Sequence, residues 1–195
     1  MIYVICRGIL RGIYALVMPI RTVGMENVPE EGGVLLCCNH ISNLDPMTMG
    51  IKLKRKVKFM AKAELFGVPV LGWLVRQLGA FPVKRGGVGK ESIKTALGIL
   101  RSGEVMGIFP EGTRNTDSGV AKKGAAHFAL RSGAAVVPVA IKGEYKLFSR
   151  ITVIYGEPID LSAFAGAGSD QLEAVTDVIM ERIRGMVASG EPSKS

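Results

Sequence analysis

The chain is poor in the residues that most often build metal centres and disulfide frameworks. Its 195 residues include two histidines and three cysteines. Cys37 and Cys38 are adjacent and so fall on opposite faces of any strand, which argues against a zinc site. An odd number of cysteines without framework spacing points away from a disulfide scaffold and toward a reducing, cytosolic environment. Aromatic residues make up 6% of the chain, the basic residues are scattered, and no nucleic-acid-binding motif is present. Nucleic acid is therefore the weakest of the possible anionic partners. A long uncharged apolar run is also missing. Residues 2–20 are apolar but carry Arg7 and Arg11, each costing about 2.5–3.5 kcal/mol at a bilayer centre, and a span needs ~20 residues. Arg also breaks any signal-peptide core there, and no small-residue cleavage site follows. The second greasy stretch, 65–83, is interrupted by Gly67, Pro69 and Gly72.

Acidic residues are outnumbered, 17 Asp and Glu against 25 Lys and Arg, for a formal net charge of +8. That excess suits an anionic phospholipid surface, a phosphorylated substrate or an acidic protein partner. The length fits one domain, able to bury about 70% of its unfolded surface. A hydrophobic fraction of 48% with positive mean hydropathy is greasy for a soluble protein, yet short of a polytopic membrane protein.

Apolar runs at 34–38, 105–109, 136–141 and 151–155 read as strands. Helices are expected to open at Pro46, and to cover 90–101, 122–131 and 172–187, the first of these ended by Gly103 and the second by Gly133. Strands alternating with helices predict an α/β fold, a central mixed sheet flanked by helices. Residues 2–20 predict an amphipathic N-terminal helix in the membrane interface. Ile2, Ile5, Ile9, Ile13, Leu16 and Val17 would face lipid, and Arg7 and Arg11 would face phosphate. The competing reading packs this helix on the core with its arginines solvated. Trp73 beside Arg76 suits a headgroup-level contact, and a core helix at a domain edge fits it equally. The expected division is an interfacial helix over 1–23, the main domain over 24–188 and a disordered polar tail over 189–195.

His40 and Asp45 follow the first strand in Asn39-His40-Ile41-Ser42-Asn43-Leu44-Asp45-Pro46. A neutral imidazole can take a proton from an alcohol near pH 7, and a carboxylate on its other nitrogen fixes the tautomer. The strand's carboxyl end is also where ligands bind in open α/β sheets. Ser42-x-x-Asp45 fits a helix capping box as well, in which Asp45 only satisfies backbone donors. Cys38, two positions before His40, permits a Cys/His nucleophile, against the plainer reading of a buried strand thiol. On these residues alone the alternatives stay open. A second motif, Phe109-Pro110-Glu111-Gly112-Thr113-Arg114, follows the 105–109 strand. Its glycine permits close backbone approach and its arginine offers a planar fork to phosphate; an exposed turn with a solvated arginine is the alternative.

Asn-His-x-Ser-x-Leu-Asp and Phe-Pro-Glu-Gly-Thr-Arg in this order resemble the signature blocks of the glycerolipid acyltransferases, specifically the bacterial 1-acylglycerol-3-phosphate acyltransferases. Residues 59–66 followed by 79–85, and then 136–141, match two further blocks, so the resemblance runs from about residue 24 to residue 158. It implies transfer of a fatty acyl group from a thioester, acyl-CoA or acyl carrier protein, to the 2-hydroxyl of 1-acylglycerol 3-phosphate (lysophosphatidic acid), giving phosphatidic acid. His40 would be the general base and Asp45 its orienter. Arg114 and Arg85, with Lys62, would hold the acceptor phosphate, and Glu111, Gly112 and Thr113 would shape the acceptor site. Pro82-Val83-Lys84 before Arg85 is one of several variants of that block. Lys122 and Lys123 could add to a phosphate site at a helix start, or form a solvated basic turn. Backbone N–H groups near His40 would serve as oxyanion donors. No metal or redox cofactor is implied. An apolar groove beside 65–75 would hold an acyl chain, and the expected location is the cytoplasmic face of the cell membrane, peripheral or monotopic. Rival readings are another acceptor (glycerol 3-phosphate or a lysophospholipid), a thioesterase or phosphoesterase using His40 on water, and a non-catalytic lipid-binding module.

Overall fold

The computed structural model describes residues 2–83, 89–112, 119–164, 166, 168 and 171–194, without the side chains of 119–122. Among these, seven strands form one mixed sheet in the order β1-β7-β6-β2-β5-β3-β4. They are β1 (Ile20–Val23), β2 (Val34–Cys38), β3 (Val57–Lys62), β4 (Ala80–Val83), β5 (Val105–Ile108), β6 (Ala135–Lys142) and β7 (Ile151–Tyr155). The helices are α1 (Ile2–Val17), α2 (Asp45–Gly50), α3 (Leu71–Gln77), α4 (Lys90–Arg101), α5 (Gly119–Arg131) and α6 (Leu172–Ser189).

β2 lies at the centre and pairs in parallel with β5 and β6. All five of its residues are buried, which is why its sequence is apolar throughout and shows no alternation. Leu35 and Cys37 pack on one face of the sheet with Leu100 of α4, Phe128 of α5 and Ile179 and Ile183 of α6. Val34, Leu36 and Cys38 pack on the other, with Met49, Leu53, Phe59 and Tyr155. β3 and β4 continue the parallel set, whereas β7 runs antiparallel to β6 and β1 runs alongside β7. The carboxyl ends of β2, β3, β4, β5 and β6 therefore share one edge of the sheet.

Three strands were not among the expected ones. β3 carries lysines at Lys58 and Lys62, and β4 is an edge strand containing Pro82, a residue that sheets accept at edges. β1 arises because the N-terminal helix stops at Val17 rather than at 20. Pro19 disfavours helical backbone at Met18, and Ile20–Val23 then pairs with Ile151–Ile154. Past α6, Gly190 closes the helix in a left-handed conformation, and the Glu157 N–H donates to the Ser193 carbonyl, 3.0 Å away.

Candidate active site

The chain leaves β2 under tight control. The Asn39 carboxamide donates to the Ile141 carbonyl (2.9 Å) and accepts from the Ile141 N–H (2.8 Å), imitating one more rung of the β2–β6 ladder. The next residue, His40, thus projects from the carboxyl edge. Its Nδ1 meets Asp45 Oδ2 at 2.7 Å; Asp45 is fully buried and the imidazole is 16% exposed. With Nδ1–H donating to the carboxylate, Nε2 is the nitrogen left to accept a proton.

The same Asp45 oxygen accepts the N–H groups of Ile41 and Ser42, each at 2.7 Å. Asp45 thus satisfies backbone donors while it holds the imidazole, but the Ser42 capping box does not form: α2 starts at Asp45, with Leu44 as its N-cap and no side-chain cap. Two consequences follow. The Ile41 and Ser42 N–H groups are engaged, so the expectation that backbone donors beside His40 serve an oxyanion is corrected for these two. Cys38 is fully buried, and burial first, then the Asp45 charge, pushes its thiol well above the ordinary value. Its place in the core beside Leu36 and Met49 favours the buried strand thiol over the Cys/His nucleophile.

Several contacts at the site escape sequence reasoning. The imidazole of His40 stacks on Phe109, the residue following β5. The Tyr145 hydroxyl, on the loop after β6, donates to Asp45 Oδ1 at 2.6 Å and lies 3.0 Å from Thr48 Oγ1. Thr48 is bonded in turn to the Leu44 carbonyl and to the Tyr14 hydroxyl of α1. Tyr145 sits among charged loop residues with no motif around it, so only the strand order reveals its place.

Of the residues expected to bind substrate, Lys62 is exposed at the carboxyl end of β3, on the same edge as His40. Glu111 and Gly112 are half-buried in the turn after β5. That turn is closed by the Gly112 N–H on the Phe109 carbonyl, with Gly112 at φ +78°, a conformation glycine favours. Arg85, Thr113 and Arg114 lie outside the described residues, as does the Lys122 side chain. Lys123 stands within α5, which begins at Gly119, and pairs with Glu173 at 3.4 Å. No group of three or more His, Cys, Asp or Glu among the described residues has metal-binding geometry.

α1 turns an apolar face outward. Ile2, Val4, Ile5, Ile9, Ile13 and Leu16 are exposed, Leu16 at 77%. The expected orientation of its arginines is corrected. Arg7 donates to the carbonyls of Leu53 and Lys54, and Arg11 to those of Ile51 and Lys52, so both cap the chain leaving α2. Exposed apolar side chains also occur at Val68, Val70, Leu71 and Trp73, and at Leu147 and Phe148, whose N–H groups include one bonded to the Val17 carbonyl at the end of α1. Arg76 stacks over Phe66. Beneath α1 an apolar cavity of about 170 Å³ is bounded by Leu10, Met47, Phe59, Leu65, Val75 and Leu78, among others. No helix among the described residues is long and apolar enough to cross a membrane.

Comparison with known proteins bears on this site. Residues 19–142 match the family model described as Acyltransferase. The chain is 34% identical over 189 residues to the 1-acyl-sn-glycerol-3-phosphate acyltransferase of Bacillus subtilis, covering 93% of this chain and 95% of that one. It is 35% identical over 133 residues to the chloroplastic 1-acyl-sn-glycerol-3-phosphate acyltransferase LPAT1 of Arabidopsis thaliana, covering 66% of this chain and 37% of that longer one. The crystal structure of the 1-acyl-sn-glycerophosphate (LPA) acyltransferase from Thermotoga maritima superposes with a TM-score of 0.72 at 22% identity, over 95% of this chain and 78% of that chain, and so shares the fold. The chain belongs to the acyltransferase family.

Proposed function

We propose that this acyltransferase moves a fatty acyl group from an acyl thioester to the sn-2 hydroxyl of 1-acylglycerol 3-phosphate, giving phosphatidic acid and a free thiol. The observation that carries the reading is the 2.7 Å contact between His40 Nδ1 and buried Asp45, at a shared carboxyl edge. His40 Nε2 takes the proton as the acceptor oxygen attacks the thioester carbonyl, and the developing imidazolium is stabilised by Asp45. The carbon–sulfur bond then breaks and the leaving thiolate takes the proton back from His40 Nε2, which restores the neutral imidazole, so no acyl-enzyme is required. Acyl-CoA and acyl carrier protein both supply such a thioester, and the basic surface suits either. Arg114, Arg85 and Lys62 hold the acceptor phosphate, while Glu111, Gly112 and Thr113 shape the acceptor site.

The similarity to the Bacillus subtilis enzyme supports this acceptor, and the apolar cavity beside 65–78 suits an acyl chain. The protein works at the cytoplasmic face of the cell membrane, peripherally or monotopically. The outward face of α1, the apolar side chains around Trp73, and Leu147 with Phe148 form its lipid contact, since stable anchoring takes more than one weak signal. The deciding experiment uses purified protein, labelled acyl-CoA and acyl carrier protein thioesters, and a panel of glycerol 3-phosphate, lysophosphatidic acid and other lysophospholipids. Label is expected in phosphatidic acid with wild type and not with His40→Ala. Release of free fatty acid without acceptor would make the protein a thioesterase, and transfer to a different alcohol would reassign the acceptor.

A further inference from the structure

Two phenols that this reaction does not use converge behind Asp45. Oδ2 of Asp45 already serves His40, Ile41 and Ser42. Its other oxygen, Oδ1, is a buried anionic acceptor met by the Tyr145 hydroxyl at 2.6 Å. Burial, and then the hydrogen bond to Asp45, push the Tyr145 phenol far above its ordinary value, so it keeps its proton and serves the carboxylate as a donor. Thr48 stands between the two phenols, 3.0 Å from the Tyr145 oxygen and 2.9 Å from that of Tyr14, and donates to the carbonyl of Leu44, the residue before Asp45. Tyr14 is the buried residue of α1, whose opposite face is exposed and apolar. Arg7 and Arg11 grip the carbonyls just past α2, while Tyr14 grips α2 through Thr48, its fourth residue, whose hydroxyl reaches back to Leu44. Helix α1 is therefore clamped along the one short helix that carries Asp45.

We propose that Tyr145 is a positioning residue for the His40–Asp45 pair, and that Tyr14, acting through Thr48, makes the seating of α1 a condition of that pair's geometry. The inference rests on the acyltransferase reading. It links whatever holds α1 in place, a lipid surface on its apolar face included, to the readiness of the base. A fully satisfied buried network fixes its members, and a half-satisfied one releases them. Losing the Tyr145 hydroxyl leaves Oδ1 short of a donor, which frees the carboxylate to rotate and the imidazole to lose its single orientation.

The test uses the full chain with Tyr145→Phe, Tyr14→Phe and the double variant, each of which keeps the ring and removes one hydroxyl. Tyr145→Phe is expected to lower kcat by about 10- to 100-fold, with KM for both substrates within about 2-fold. Tyr14→Phe is expected to lower kcat by about 3- to 10-fold, and the double variant to be within about 2-fold of Tyr145→Phe, since coupled groups are not additive. Nitrogen-15 NMR of the two histidines reads the network without any turnover. His40 should show one Nδ1–H tautomer in wild type and a mixed or broadened signal in Tyr145→Phe, with His127 unchanged. Wild-type kcat in Tyr145→Phe, or an unchanged His40 tautomer, overturns the positioning role. Independent, multiplicative effects of the two variants overturn the link to α1. If Tyr145→Phe does not fold, the Tyr14→Phe tautomer and kcat decide. If wild type transfers no acyl group, the functional reading fails by itself, and the NMR comparison still judges the network.

Discussion

The His40 imidazole lies against the Phe109 ring, with centroids 4.2 Å apart and planes inclined by 20°. This stack joins the loop after β2 to the loop after β5, and so couples the two signature blocks directly. Asp45 fixes the imidazole at one edge and Phe109 fixes it on one face. Phe109→Leu, which keeps apolar volume but loses the flat ring, should lower kcat about 10-fold with KM nearly unchanged, because a base displaced by a fraction of an ångström loses alignment. Steady-state kinetics beside a thermal melt checks this; an unchanged kcat would show that the stack does not orient the ring.

His40 and Asp45 should separate in their effects on stability. His40→Ala is expected to lower kcat by at least about 10³-fold while the melting temperature hardly moves. Asp45→Ala should abolish activity and also destabilise the fold, because the N–H groups of Ile41 and Ser42 lose their acceptor, at about 1–3 kcal/mol each. Urea unfolding of both variants decides the matter, and equal stability losses would contradict the dual role of Asp45.

Arg114→Ala is expected to raise KM for the phosphorylated acceptor by about 10-fold or more, with a much smaller effect on the thioester, as befits loss of a charged hydrogen bond made in the bound state. Initial rates with each substrate varied in turn check the assignment. An equal rise for both substrates would remove Arg114 from the phosphate site.

Because Tyr14, Arg7 and Arg11 are built into the domain, deleting α1 would disturb the fold as well as the surface. Exposed positions make the cleaner test. Ile9→Glu with Leu16→Glu, and separately Phe148→Ser, should weaken flotation with anionic vesicles while turnover of detergent-solubilised acceptor stays within about 2-fold. Flotation equal to wild type in both variants would refute the proposed lipid contact.

The cysteines should respond to pH through burial. Cys37 is pushed up from an ordinary 9.0 to about 12 by burial alone. The folded state therefore holds this proton more tightly than the unfolded chain does. The stability so gained is fully present below about pH 9 and is lost as pH rises from there toward 12. Urea midpoints are expected to fall across that window. At pH 8 a thiol reagent should modify only half-buried Cys6 in the native protein, but all three cysteines in denaturant. Rapid native labelling of Cys37 or Cys38 would contradict the packing around β2.

Taken by itself, the sequence determined what depends on near neighbours along the chain. The apolar runs of β2, β5, β6 and β7 are visible because strands buried on both faces admit few polar residues. The His40–Asp45 pair is visible because a turn of five residues suffices to bring them together. The blocks that carry the family resemblance lie in the loops those strands deliver. The edge strands β1 and β4 and the lysine-bearing β3 are not visible, because a half-covered strand needs no continuous apolar run. Tertiary structure alone decided which strands are neighbours. Placing β6 beside β2 sets Tyr145, 100 residues along, on Asp45, and lets Ile141 clasp Asn39. The docking of α1 was decided in the same way. Its periodicity shows that it has two faces, yet the partners of Arg7 and Arg11 are backbone carbonyls at the end of α2. Carbonyls are common to every residue, so no side-chain pattern can announce them, and only the folded chain shows which ones are left for an arginine to cap.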